Sequence, residues 1–216
     1  MKITEFFDKT YCINLERRSD RWEECLNEFK KYELTGIDRF IAVDGKKLNQ
    51  TSSGFMTPSR LALVKTNVNI LEDAIKNNYN SILILEDDVE FHNDFLNLFD
   101  QFSDQINFQW DLLYLGGNYR IIKNKIQQNV LQMEKVFTTH SYAISNNVYK
   151  ILKKEIGDSI NNYINNKRLG VIDVIISNLI KKEKLLCYGF YPKLTWQRTS
   201  YSDLRYAVKD YKVLRK

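Results

Sequence analysis

Four consecutive aliphatic residues, Ile82-Leu83-Ile84-Leu85, run directly into Glu86-Asp87-Asp88. Such a run, two of its members β-branched, reads as a strand buried on both faces at the centre of a parallel sheet. Three adjacent carboxylates repel one another unless positive charge sits among them, and no basic residue interrupts these. One reading is a solvated acidic turn after a core strand. The other, which we favour, is a divalent cation site. Hard oxygen ligands suit magnesium or manganese, and open α/β sheets place ligands outside the carboxyl ends of their strands. If strand geometry persists past Leu85, Glu86 and Asp88 share one side of the chain and Asp87 takes the other.

A chain of 216 residues is long enough to bury a sizeable core, and residues 1–216 are read as a single domain. The net charge of +5 favours small anionic ligands and argues against a nucleic-acid partner. Cys12, Cys25 and Cys187 form an odd set without metal-ligand spacing, so buried reduced thiols are expected. Charges throughout Met1 to Lys9 leave no apolar signal-peptide core, and no run reaches membrane-spanning length. A soluble cytoplasmic protein is the expectation.

The remaining pattern alternates strand and helix. A first strand over Thr10 to Leu15 enters a turn carrying Arg17, Arg18 and Arg21, and Ser19 is placed to cap the following helix. Trp22, Cys25, Leu26 and Phe29 give that helix an apolar face. The turn arginines can grip a diphosphate bidentately or simply solvate a helix start. Arg39 to Val43 reads as a second strand ending at Asp44-Gly45, a turn in which Asp44 either reverses the chain or contacts a ribose. Thr57-Pro58 opens a helix striped by Leu61, Val64, Val68, Leu71 and Ile75. Further strands are expected over Gln109 to Asn118, Lys135 to Ile144 and Leu185 to Tyr191, with a hairpin or excursion over Ile121 to Glu134. His140 is either a site residue or a hydrogen-bonded core histidine. Asp173, amid aliphatics, is either a helix cap or a functional carboxylate.

Taken in order, these pieces resemble glycosyltransferase family 25, the lipooligosaccharide and procollagen galactosyltransferase group. The resemblance rests on Ile13 to Arg21, Val43-Asp44-Gly45, Leu83 to Val89, Trp110 to Gly116, Thr139 to Ser145, and Pro192 with Gln197 and Ser202-Asp203. It implies a GT-A-like α/β fold with a single, mostly parallel central sheet flanked by helices. It also implies a UDP-sugar donor carrying galactose or glucose, and Mn2+ or Mg2+ held by Asp88 and Glu86. The nucleotide side of the site falls on Asn14, Leu15, Arg17, Arg21, Asp44, Gly45, Glu86 and Asp87. An acceptor hydroxyl on a glycan, a lipid-linked sugar or a hydroxylated protein needs a base. Asp173 is the first candidate, followed by Asp203 and His140, and a single displacement with inversion is implied. The family's Ser-His pair before the central strand is replaced here by Thr66-Asn67. That departure keeps open an inactive nucleotide- or glycan-binding module of the same fold. A nucleotidyltransferase ranks lower, since Glu16-Arg17-Arg18 has none of the glycines of a phosphate loop.

Overall fold

The computed structural model describes residues 3–49, 57–164, 171–182, 184–202 and 207–210. The principal strands are β1 (Lys9–Asn14), β2 (Ile37–Ile41), β3 (Ser81–Glu86), β5 (Leu112–Gln127), β6 (Val130–Ser145) and β7 (Cys187–Phe190). They form one sheet in the order β2-β1-β3-β6-β5-β7. β1 pairs parallel with β2 and with β3, and β5 pairs parallel with β7. Only β6 runs against the rest, pairing antiparallel with β3, β5 and β7. The expected α/β class with a mostly parallel, helix-flanked central sheet is the one observed.

β3 is the strand on which both cores meet. Ile82 and Ile84 point into one apolar cluster, Leu83 and Leu85 into the other. All four are at most 1% exposed, each stabilising the fold by about 1.5–3 kcal/mol relative to water. The first core packs under α3 (Pro58–Lys76), α5 (Tyr149–Ile164) and α6 (Ile172–Lys181). The second lies under α1 (Ile3–Phe6), α2 (Ser19–Lys31) and α4 (Phe95–Ser103), and is rich in phenylalanine rings. Pro58 starts α3 as expected, with the Thr57 hydroxyl accepting from the Arg60 N–H.

Chain order explains where a site can form. β2 lies on one side of β1 and β3 on the other, so the winding reverses at β1. A crevice opens at the carboxyl ends of strands where winding reverses, here beside Asn14 and Glu86, the last residues of β1 and β3.

Two local readings shift. α2 begins at Ser19, so Arg18 occupies the cap position and the Ser19 side chain does not cap. Its buried stripe is Arg21, Cys25 and Phe29, while Leu26 is 47% exposed. The charged Arg21 sits inward because its counter-charges lie beneath the helix, as described below. The paired glycines of β5 admit the chain itself: a Cβ on Gly116 would lie 2.0 Å from the Thr195 carbonyl oxygen. That contact brings β8 (Thr195–Gln197) against β5, and β8 also pairs with β4 (Val89–Phe91) directly after the acidic turn. The three cysteines are free and buried, Cys12 and Cys25 with sulfurs 3.8 Å apart.

Candidate active site

A cavity of about 270 Å³ opens at the carboxyl ends of β1, β2 and β3. From β1, β2 and the turns after them, Asn14, Leu15, Arg17, Asp44 and Gly45 line it; from α2, Arg21; from the end of β3 and its turn, Glu86, Asp87 and Asp88. Thr138 and Thr139 of β6, Asp173 at the start of α6, Gln197 of β8, and Ser59, Arg60 and Thr66 of α3 also line it. The close fit of Gly45 against the first turn of α3 shapes one edge, since a Cβ there would lie 2.7 Å from Ser59 backbone atoms.

The acidic turn is buried and held from three directions. Asp87 and Asp88 are 7% and 9% exposed. From α2, Arg21 pairs with Asp87 at 2.9 Å and with Asp88 at 3.0 Å. From β1, Asn14 Nδ2 donates to Asp87 Oδ2 at 2.6 Å, and the Asn14 oxygen in turn accepts from Arg39 at 2.6 and 3.0 Å. From β8, Gln197 Nε2 donates to Glu86 Oε2 at 3.3 Å and to Asp88 Oδ1 at 3.4 Å. The Arg198 backbone N–H also donates to the Asp88 carbonyl at 2.7 Å. β3 ends at Glu86, so Asp87 and Asp88 belong to the turn and strand alternation does not extend to them: Glu86 and Asp88 both meet Gln197, Asp87 meets Asn14, and Arg21 reaches both aspartates.

One guanidinium facing three carboxylates leaves an excess of negative charge. Burial, reinforced by Asp88 and Asp87, pushes Glu86 up to about 8. Burial, countered by Arg21, pushes Asp87 up to about 6. The native state therefore retains a Glu86 proton that the unfolded chain releases near its ordinary value of 4.5, so this group costs stability progressively as pH rises from about 4.5 to about 8. Replacing Glu86 with glutamine is expected to remove that slope. The variant should melt clearly above the parent at pH 8 and within error of it at pH 4.5, as followed by circular dichroism. Equal melting temperatures at pH 8 would show that Glu86 ionises without strain.

At the rim, Arg17 Nε donates to Asp44 Oδ2 at 2.8 Å, and the Lys46 N–H donates to Asp44 Oδ1 at 2.9 Å. These contacts outweigh burial and hold the Asp44 carboxyl below its ordinary range. Of the Thr66-Asn67 pair, Thr66 lines the cavity and Asn67 does not. Thr66 Oγ1 accepts from the Val43 N–H at 3.0 Å and donates to the Ala62 carbonyl, while Asn67 Oδ1 accepts from the Tyr142 hydroxyl at 3.0 Å.

Asp173 lies in the first turn of α6, where Val171 occupies the cap position, and its side chain is part of the cavity wall. His140 is 4% exposed and not part of that wall; its Nε2 lies 3.5 Å from the Thr195 carbonyl, and burial lowers its pKa to about 4. Asp203 lies outside the described residues. Arg39 and Thr139 were not singled out as site residues by the sequence pattern, nor was Gln197 beyond its place in a motif. Each acts through a partner distant in sequence.

Among the described residues no group of three or more His, Cys, Asp or Glu side chains converges as a metal site. The donor set nevertheless fits a hard cation. Glu86 and Asp88 each direct an oxygen toward the single Gln197 nitrogen, so both oxygens border one small volume. Magnesium-like ions are commonly held by one or two carboxylates together with substrate phosphates.

The sequence model of glycosyltransferase family 25 (LPS biosynthesis protein) matches residues 7–168. Procollagen galactosyltransferase 2 of Homo sapiens is 26% identical over 165 residues, 64% of this chain and 26% of that protein. The procollagen lysyl hydroxylase and glycosyltransferase of Acanthamoeba polyphaga mimivirus is 28% identical over 173 residues, 68% of this chain and 19% of that protein. The probable inactive glycosyltransferase 25 family member 3 of Bos taurus is 27% identical over 132 residues, 51% of this chain and 22% of that protein. The chain thus spans about a quarter or less of the length of these relatives. Among the described residues no helix is long and apolar enough to cross a membrane. The family match runs through the β1 turn, the Asp44-Gly45 turn and the whole acidic turn, three of the segments that line the cavity, and the chain belongs to glycosyltransferase family 25.

Proposed function

We propose that the protein is a metal-dependent hexosyltransferase. It moves galactose or glucose from a UDP-sugar to a hydroxyl of a glycan, lipid-linked sugar or hydroxylated protein, with inversion. The observation that carries this reading is the shared cavity. Nucleotide-side turns from β1 and β2, the buried acidic turn after β3 and the Asp173 carboxylate all line it. β1 and β2 lie on one side of β3 in the sheet, and β6, on which α6 packs, lies on the other. Donor and acceptor sides would accordingly meet over the acidic turn.

Glu86 and Asp88 would hold Mn2+ or Mg2+, which when bound supplies Lewis-acid neutralisation of the diphosphate charge. Arg17, at the rim beside Asp44, adds charge-assisted donors for the phosphates or ribose. Arg21 keeps Asp87 and Asp88 fixed, so the site is organised before the donor arrives. Asp173 would accept the acceptor hydroxyl proton as the new C1–O bond forms and the C1–O(phosphate) bond breaks. The displaced oxygen leaves on UDP.

The expected result is UDP binding that tightens in Mn2+ and weakens about tenfold or more when Asp88→Asn removes a ligand charge, read by calorimetry. Binding indifferent to both manganese and the substitution would sink the reading. An inactive binding module is the second reading. It is supported by the relative named as inactive and by carboxylates already engaged with Arg21 and Gln197. A panel of UDP-sugars separates the two, because an enzyme slowly releases UDP from its donor in manganese without acceptor and a binder does not.

A further inference from the structure

Gln197 is the least expected member of the cavity. It ends β8, sits opposite Val89 in the β4–β8 pair, and is 9% exposed. Its single amide nitrogen lies 3.3 Å from Glu86 Oε2, and 3.4 and 3.5 Å from the two oxygens of Asp88. It therefore bridges the same two carboxylates that the proposed function assigns to the cation. The backbone around it is tied down: the next residue, Arg198, donates its N–H to the Asp88 carbonyl and its guanidinium to Glu24 at 2.7 Å and to the Asp87 carbonyl at 3.2 Å. Adjustment at this point falls to the Gln197 side chain.

The Gln197 amide supplies a donor to both carboxyl groups but adds no net charge to the site. Its other end is a hard oxygen of the kind magnesium and calcium accept. The terminal torsion of glutamine is broad and roughly two-fold, so a half-turn presents that oxygen where the nitrogen lay. We propose that Gln197 is the third protein arm of the cation site: Nε2 sets the separation of Glu86 and Asp88 in the arrangement seen here, and after the half-turn Oε1 would be contributed to Mn2+ or Mg2+ in its place. This inference rests on the reading of Glu86 and Asp88 as cation ligands. It deepens that reading by adding a residue from the far end of the chain to a site otherwise built on β3.

The test is direct Mn2+ binding to the purified chain without nucleotide, followed by the electron paramagnetic resonance signal of free Mn2+. Gln197→Leu, close in volume and without polar atoms, is expected to weaken Mn2+ binding about tenfold. Gln197→Glu, which adds a carboxylate, is expected to tighten it by a similar factor at pH 8. Thermal melts confirm that both variants fold, and should Gln197→Leu fail to fold, the tightening in Gln197→Glu remains decisive. A parent that binds Mn2+ with both variants within twofold of it overturns the role of Gln197 and leaves the cation reading standing. A parent that binds no Mn2+ at millimolar concentration, alone or with UDP, overturns both.

Discussion

Asp173→Asn is expected to lower sugar transfer by about 10²–10⁴-fold, the usual contribution of a positioned general base, with UDP affinity in manganese unchanged. The separation of effects follows from placement. Asp173 lines the cavity from α6, whereas the residues proposed to hold the nucleotide line it from the β1 and β2 side. Asparagine keeps the size and a hydrogen-bonding oxygen but cannot take up the acceptor proton. Because α6 begins with Val171 at its cap and no side-chain capping bond, loss of the Asp173 charge near the positive helix end costs only about 0.3–1 kcal/mol of stability. The readout is transfer under saturating donor, with a calorimetric UDP titration in parallel. Equal falls in transfer and UDP affinity would place Asp173 on the nucleotide side instead. Unchanged transfer would remove it from the reaction.

Arg21→Met is expected to be the most damaging single change to stability, about 3–5 kcal/mol at pH 8. Methionine retains much of the side chain's packing against α2's neighbours but leaves Asp87 and Asp88 as buried anions without their guanidinium. The sign of the pH dependence follows from Asp87, already raised to about 6 with Arg21 in place. Without Arg21 its folded pKa rises further while the unfolded value stays near 3.8. The added loss is therefore small near pH 4, grows as pH rises above about 6 toward the new folded value, and is constant beyond it. Urea unfolding at pH 5 and pH 8 checks this, the deficit relative to the parent being larger at pH 8. Added Mn2+ should recover part of it, since a bound divalent ion replaces the missing positive charge. An unfolding midpoint unchanged at pH 8 would mean that the paired carboxylates do not depend on Arg21.

Much of the architecture is legible in the residue pattern because burial leaves a local trace. The Ile82 to Leu85 run, the Thr57-Pro58 helix start and the stripe through Leu61, Val64 and Leu71 all appear where their periodicity places them. The β5–β6 hairpin was foreshadowed by polar residues between two apolar runs. Boundaries were less legible. β2 occupies Ile37–Ile41, short of Val43, whose N–H is taken by Thr66 instead of a neighbouring strand. On α2, an apolar count selects Leu26 for the interior and Arg21 for solvent. The fold does the reverse, since two carboxylates under the helix make a buried arginine favourable.

From residues alone came the buried central strand, the anionic turn at its carboxyl end and the alternating order of strands and helices, because hydrophobic period and charge clustering are properties of contiguous chain. Which groups answer those charges was settled only by packing. Asn14 meets Asp87 across 73 residues and Gln197 meets Asp88 across 109, through sheet registers that no local pattern encodes. A row of like charges announces that counter-charge is required, but the identity and position of that partner follow from how distant strands and helices come to lie side by side.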